Sequence, residues 1–122
     1  MSAKAPRHVL LVEDEPGTLT TVALLLEMSG YRVSQAANGQ RALAQLAREI
    51  PDIVLTDYMM PHLNGLDLIE AMRANPSLNK VPVILTSAAL PVNIEPSKVA
   101  DGFLTKPYRI ETVIQLIESL IR

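Results

Sequence analysis

Ile53-Val54-Leu55-Thr56-Asp57-Tyr58-Met59-Met60-Pro61 decides the fold. A short, β-branched apolar run stops on a carboxylate. Such a run reads as a strand buried on both faces, the signature of a parallel sheet. Pro61 forbids continuation, and Asn64-Gly65 marks a turn before a new helical pattern. Asp57 is therefore expected at the C-terminal tip of a central strand, the edge where open α/β sheets bind ligands. The plainer alternative is an Asp that only caps the next segment, and the rest of the chain has to decide.

Working outward, the pattern repeats on both sides. His8–Val12 is an apolar strand ending on Glu13-Asp14-Glu15, with Pro16 and Gly17 next. From Thr18 to Met28 the period is helical: Leu19, Val22, Ala23 and Leu26 share one face, while Thr18, Thr21 and Leu25 lie opposite, beside Leu24 and Met28. Ser29-Gly30 stops that helix. Tyr31–Ala36 alternates as a second strand. After Asn38-Gly39, Ala42, Leu43, Leu46, Ala47 and Ile50 recur at helical spacing until Pro51-Asp52 breaks the run. Beyond Asp57, a third helix draws its apolar positions from Leu66, Ile69, Ala71 and Met72 and ends at Asn75-Pro76-Ser77. Val81–Thr86 is a fourth strand, ending on Ser87-Ala88-Ala89. Gly102–Thr105 is a short fifth strand, ending on Lys106-Pro107. The last helix runs from about Arg109 to Ile121 with a wide apolar arc, Leu116 and Leu120 at its edge. Strands alternating with helices favour a parallel sheet covered on both faces, joined by right-handed crossovers.

The chain has 122 residues, enough for one domain and one core, expected over 1–122 with 1–6 as a frayed tail. Net charge is −2, and phosphate contacts need clustered Lys and Arg, so direct nucleic-acid binding is not expected. There is no Cys, hence no disulfide or thiolate chemistry, and a cytoplasmic setting is compatible. No apolar run approaches the roughly 18 residues of a membrane span, and the first six residues lack the apolar stretch of a signal peptide.

Four of the five strands end in a reactive polar side chain: Glu13 and Asp14, Asp57, Ser87, Lys106. In a parallel sheet these tips share one edge. Each has an ordinary explanation, as an acidic first turn, an N-cap or a surface lysine. Together those explanations require independent coincidences on one edge. Converging carboxylates repel, and a hard divalent cation resolves the repulsion. Mg²⁺ takes oxygen ligands, so Asp14 and Asp57 suit direct ligation, the longer Glu13 suits contact through water, and the Met59 backbone carbonyl suits a further position. Asp57 can then act as a nucleophile on a phosphoryl group, with Lys106 as a point charge and Ser87 as a hydrogen-bond donor to its oxygens.

These stretches resemble the response-regulator receiver domain of two-component signalling. The likeness runs from about His8 to Ile121. It is carried by Val9–Glu15, Pro51–Pro61, Asn64-Gly65, Pro82–Ala88 and Phe103–Pro107. The resemblance implies a flavodoxin-like α/β fold, a doubly wound five-stranded parallel sheet in order 2-1-3-4-5. It implies Asp57 as phosphoacceptor from a histidine kinase or histidine phosphotransfer protein. It implies Mg²⁺ held by Glu13, Asp14, Asp57 and the Met59 carbonyl, and Lys106 and Ser87 serving the phosphoryl group. Ser87 would be the hydroxyl switch, with Thr86 as fallback, and Phe103 the aromatic that turns with it. The Lys106-Pro107 bond would be cis, as the family usually has it. Such a chain is a signalling switch and not an enzyme, apart from its own phosphorylation and dephosphorylation. A homodimer is one allowed assembly, and the length fits a stand-alone regulator or a receiver cut from a longer chain.

Two departures from the pattern stand out. The segment from Ser87 to Lys106 is about a helical turn short and carries Pro91 and Pro96, so a truncated or absent fourth helix is expected, leaving Leu116 and Leu120 more exposed. Met59 and Ala89, two positions past Asp57 and Ser87, cannot orient a water. Three other functions remain to be weighed. A metal-dependent phosphatase of the haloacid-dehalogenase type needs a second Asp where Met59 stands. A flavodoxin-like cofactor binder needs Gly, Ser and Thr donors where Glu13-Asp14-Glu15 would repel a phosphate. A receiver fold that only docks partners would have no use for the full set of strand-tip groups.

Overall fold

A computed structural model describes residues 5–121; of the expected tail, residues 1–4 lie outside that range, and Ala5 and Pro6 are exposed. The elements alternate as β1 (His8–Val12), α1 (Pro16–Met28), β2 (Arg32–Ala36), α2 (Gly39–Leu46), β3 (Ile53–Asp57), α3 (Gly65–Arg73), β4 (Val83–Ser87), α4 (Pro96–Val99), β5 (Gly102–Thr105) and α5 (Ile110–Leu120). The strands form one parallel sheet in the order β2-β1-β3-β4-β5. β1, β3 and β4 are buried along their whole length. Successive side chains alternate between two cores. Leu10, Val12, Val54, Val83 and Leu85 pack under α2 and α3. Val9, Leu11, Ile53, Leu55, Ile84 and Leu104 pack under α1 and α5. This two-sided burial explains the near-continuous apolar runs of β1, β3 and β4, neither face of which meets water.

Local chemistry sets the element ends. α1 begins earlier than its apolar period, at Pro16, because the Glu15 carboxylate accepts from the Gly17 and Thr18 amides at 3.1 and 2.6 Å. α3 opens with a capping box in which Asn64 and Asp67 exchange side chain-to-backbone bonds. α2 stops at Leu46, short of Ile50, which is exposed and not a core residue. The residue before a proline avoids the helical region, so the turn must be left before Pro51. In α3 the buried stripe is Leu68, Ile69 and Met72, while Leu66 and Ala71 lie at its margin. β4 starts after Pro82, two residues later than the apolar run, and takes in Ser87.

The expected truncation of the fourth helix is found. α4 is four residues long and buries none of them, and residues 88–95 are neither helix nor strand. Leu116 and Leu120 are half-buried, and Leu116 lies over Gly102 where a longer side chain would collide.

Gly65 fixes α3 against the tip of β3. Its amide donates to the Tyr58 carbonyl at 2.9 Å, and a Cβ there would stand 2.5 Å from the Asp57 carbonyl oxygen. At the opposite edge, His8 is buried with Nε2 2.6 Å from Ser34 Oγ, while Nδ1 has no partner among the described residues. Burial pushes the His8 imidazole below its ordinary pKa, and the Arg32 charge acts in the same direction, against the weaker pull of Glu49 and Asp52.

Two outcomes follow. Gly65→Ala forces backbone apart at a close-packed junction, so it should lower stability by about 1–3 kcal/mol in denaturant unfolding, the usual cost of overpacking. For His8, the unfolded chain accepts a proton that the fold refuses. Its contribution is complete above the ordinary pKa of 6.5 and is lost as pH falls through the lowered folded value. Unfolding midpoints between pH 7.5 and 5 should therefore fall more steeply for the native chain than for His8→Leu; equal slopes would remove His8 from the account.

Candidate functional site

The C-terminal edge of the sheet gathers side chains from four separate strands. Asp57 ends β3 and Ser87 ends β4, while Glu13 and Lys106 follow directly on β1 and β5. Backbone pairing places them. The Glu13 amide donates to the Ala36 carbonyl at 3.1 Å, Tyr58 N to Thr86 O at 2.8 Å, and Lys106 N to Ser87 O at 2.9 Å, so the strand tips stay in register beyond the strands themselves.

Lys106 Nζ lies 2.9 Å from Glu13 Oε1 and 3.2 Å from Asp57 Oδ2, one ammonium between two carboxylates. Both carboxylates are buried, Glu13 at 4% and Asp57 at 6% exposure, while Asp14 beside them is exposed. The other Glu13 oxygen accepts from the Glu15 amide at 3.2 Å. Burial drives the Glu13 carboxyl above its ordinary pKa, although the Lys106 hydrogen bond and the Glu15 amide work against it. For Lys106, burial alone would lower the ammonium; the Glu13 hydrogen bond and the Asp57 charge outweigh it and hold the pKa above the ordinary value. The network thus favours a charged lysine, and it leaves three carboxylates against the one ammonium.

Oxygens of Glu13, Asp14 and Asp57 come within 4.8 Å of one another. An all-oxygen donor set with excess negative charge and one open, exposed member fits a hard divalent cation such as Mg²⁺. The sequence-derived site residues therefore divide. Glu13, Asp14, Asp57 and Lys106 are brought together. Met59 follows in the loop after Asp57 and is 65% exposed. Ser87 is buried on the adjacent strand tip, but its hydroxyl is engaged locally, donating to the Ala89 carbonyl at 2.7 Å and accepting from the Ala89 amide at 3.1 Å. Phe103 is half-buried on the core under α2 and α3, on the same sheet face as Leu85. The Lys106-Pro107 bond is cis, as the resemblance implies.

One neighbour was not legible in the sequence. Tyr108 joins Thr18, Val22, Ala88, Lys106 and Pro107 around a groove of about 420 Å³ beside the lysine. Burial raises its phenol above the ordinary pKa. Its position two residues past Lys106 was the available signal, and only the turn at Pro107 gives it meaning.

Comparison with known proteins agrees with this arrangement. A family model described as response regulator receiver domain matches residues 9–118. The probable transcriptional regulatory protein TcrX of Mycobacterium tuberculosis is 35% identical over 121 residues, covering 96% of this chain and 50% of TcrX. The chain spans about half the length of several curated relatives it matches. Among solved structures, the receiver domain of the sensor histidine kinase PA1611 from Pseudomonas aeruginosa PAO1 superposes with a TM-score of 0.87 at 28% identity, covering 96% of this chain and 98% of that one. That crystal structure has a magnesium ion coordinated in its active-site cleft. The response regulator TrrA from Thermotoga maritima, solved in complex with Mg²⁺ and BeF, gives a TM-score of 0.83 at 25% identity, covering 93% of this chain and 98% of that one. No helix among the described residues is long and apolar enough to cross a membrane. A family match over nearly the whole chain, a 2-1-3-4-5 parallel sheet and an acidic cluster at its C-terminal edge together make this chain a member of the response regulator receiver domain family, the phosphorylation-dependent switches of two-component signalling.

Proposed function

We propose that Asp57 is the phosphoacceptor, and that a histidine kinase or histidine phosphotransfer protein supplies the phosphoryl group in a Mg²⁺-dependent reaction. The observation that carries this reading is the contact of Lys106 with the buried carboxylates of Glu13 and Asp57, with Asp14 beside them. An Asp57 carboxylate oxygen forms a bond to phosphorus as the P–N bond of the donor's phosphohistidine breaks, and the electron pair leaves on the imidazole nitrogen. Glu13, Asp14, Asp57 and the Met59 carbonyl are the groups that would hold Mg²⁺. The chemistry Mg²⁺ supplies when bound is neutralisation of charge between the carboxylates and the incoming phosphoryl oxygens. Lys106 already touches Asp57 and needs only to keep its charge to pair with a phosphoryl oxygen. Ser87 supplies a hydroxyl donor from the next strand tip, and Phe103 shares its sheet face, which supports the pair as the element that senses the new charge.

Met59 bears on the reaction's duration. A thioether has no proton to give, so it cannot act as the general acid that a multiple-turnover phosphatase would need at that position. Ala89 offers no hydrogen-bonding side chain either. Hydrolysis of the acyl phosphate then runs without side-chain help from these two positions.

Phosphotransfer from a panel of purified kinases tests the first claim. The native chain should become labelled by at least one kinase, EDTA should abolish labelling, and Asp57→Asn should stay at background. Labelling of Asp57→Asn equal to the native chain would place the acceptor elsewhere. The second claim is checked by the decay of the isolated phosphoprotein: Met59→Asn introduces an amide able to orient water and should shorten the lifetime severalfold, whereas an unchanged lifetime would show that position 59 is irrelevant to hydrolysis.

A further inference from the structure

At the N-terminal edge of the sheet, opposite Asp57, a cavity of about 490 Å³ opens between β1, β2 and the turn after α2. Leu10 and Pro51 give it an apolar wall. Most of its polar groups are already paired. Ser34 Oγ lies 2.6 Å from His8 Nε2, Gln45 Nε2 donates to the Gln35 carbonyl at 2.6 Å, and Glu49 Oε1 accepts from Arg32 Nη2 at 2.6 Å. Two groups of the lining are left over. The exposed Arg48 guanidinium is in no ion pair among the described residues. His8 is only 6% exposed, and its Nδ1 is the one buried side-chain nitrogen or oxygen among the described residues that has no hydrogen bond.

We propose that this cavity binds a small aliphatic carboxylate, its oxygens taken by Arg48 and by the His8 Nδ1–H, its carbon chain laid against Leu10 and Pro51. The Ser34 hydroxyl can donate to His8 Nε2, and the ring then carries its proton on Nδ1. Burial and the Arg32 charge keep the imidazole neutral, so it offers an N–H donor and not a second charge. The charges around the ring nearly cancel. Arg7 pairs with Asp52 at 3.7 Å and Arg32 with Glu49, which leaves Arg48 uncompensated. A buried donor without an acceptor is costly, and an oxyanion removes that cost while meeting the unpaired charge. The planar guanidinium fork matches a carboxylate edge, and the apolar wall gives an aliphatic chain a place that a tetrahedral inorganic anion cannot use. None of Glu13, Asp14, Asp57 and Lys106 lines the cavity, so the proposal stands apart from the phosphoacceptor reading.

The test is a titration of the full chain with acetate, butyrate and inorganic phosphate at neutral pH and constant ionic strength, read from the ¹H and ¹⁵N ring resonances of histidine. The chain has two histidines, and His62, exposed in the loop between β3 and α3, is the internal control. Butyrate should move the His8 signals saturably and leave His62 in place. It should bind severalfold more tightly than acetate, because its additional methylenes leave water, and more tightly than phosphate. Arg48→Ala, at an exposed position, should weaken butyrate at least tenfold with the native fold retained in the amide spectrum. Equal movement of His8 and His62, or a response that never saturates, is a salt effect and overturns the site. A His8 spectrum unchanged by all three anions assigns Nδ1 to buried water alone and overturns it as well. Saturation by phosphate with butyrate silent overturns the carboxylate class. Undiminished butyrate binding in Arg48→Ala overturns the pairing on which the proposal rests.

Discussion

One ammonium group holds two buried carboxylates at the edge of this sheet. Taking a carboxylate out of water costs several kcal/mol, and an uncompensated one would unfold the strand tips or take up a proton. Lys106 offsets part of that cost, lying at hydrogen-bond distance from both Glu13 and Asp57. Two carboxylates already outnumber the one ammonium, and Asp14 adds a third that faces water. This residual negative charge, on an all-oxygen donor set, fits a hard cation.

The fold serves this balance through parallel pairing. A parallel sheet aims every strand in one direction, so four strands deliver their terminal side chains to a single edge without any loop having to fold back. The two cores below hold the strands in register, and backbone bonds past the last paired residues carry that register into the loops. Rigidity is uneven as a result. β1, β3 and β4 are buried throughout, whereas the segment between β4 and β5 fully buries only Ala100 and relies on polar restraints at its ends. A switch needs such an inequality, since a site set wholly in close-packed core has no second arrangement to adopt.

Most of the architecture was legible because it rests on period and punctuation. The strand at Ile53–Asp57 is bounded by Pro51 and Pro61, and the tips of all but one strand show a charged or hydroxyl residue directly after an apolar run. The shortened α4 was legible for the same reason, through Pro91 and Pro96. Misreadings came where periodicity continued past a backbone limit: Ile50 keeps the helical spacing of α2 but precedes a proline, and Leu68 replaces Leu66 in the core because the seat of Gly65 on β3 fixes how α3 is rotated. Pairings between distant polar residues away from the strand tips were not legible. Arg73 and Asp101 are 28 positions apart, and neither carries a local pattern; the Ser87–Ala89 bonds depend on a loop path that no composition specifies.

The Lys106–Glu13 contact joins residues 93 positions apart. During synthesis the acidic pair and Asp57 leave the ribosome well before the lysine, so the pocket is incomplete until β5 has been made and threaded onto β4. Until then Glu13 and Asp57 have no reason to be buried, and the sheet edge stays open to water. The acidic cluster therefore gains its ammonium only with the last strand, and a chain truncated before Lys106 would leave Glu13 and Asp57 without it.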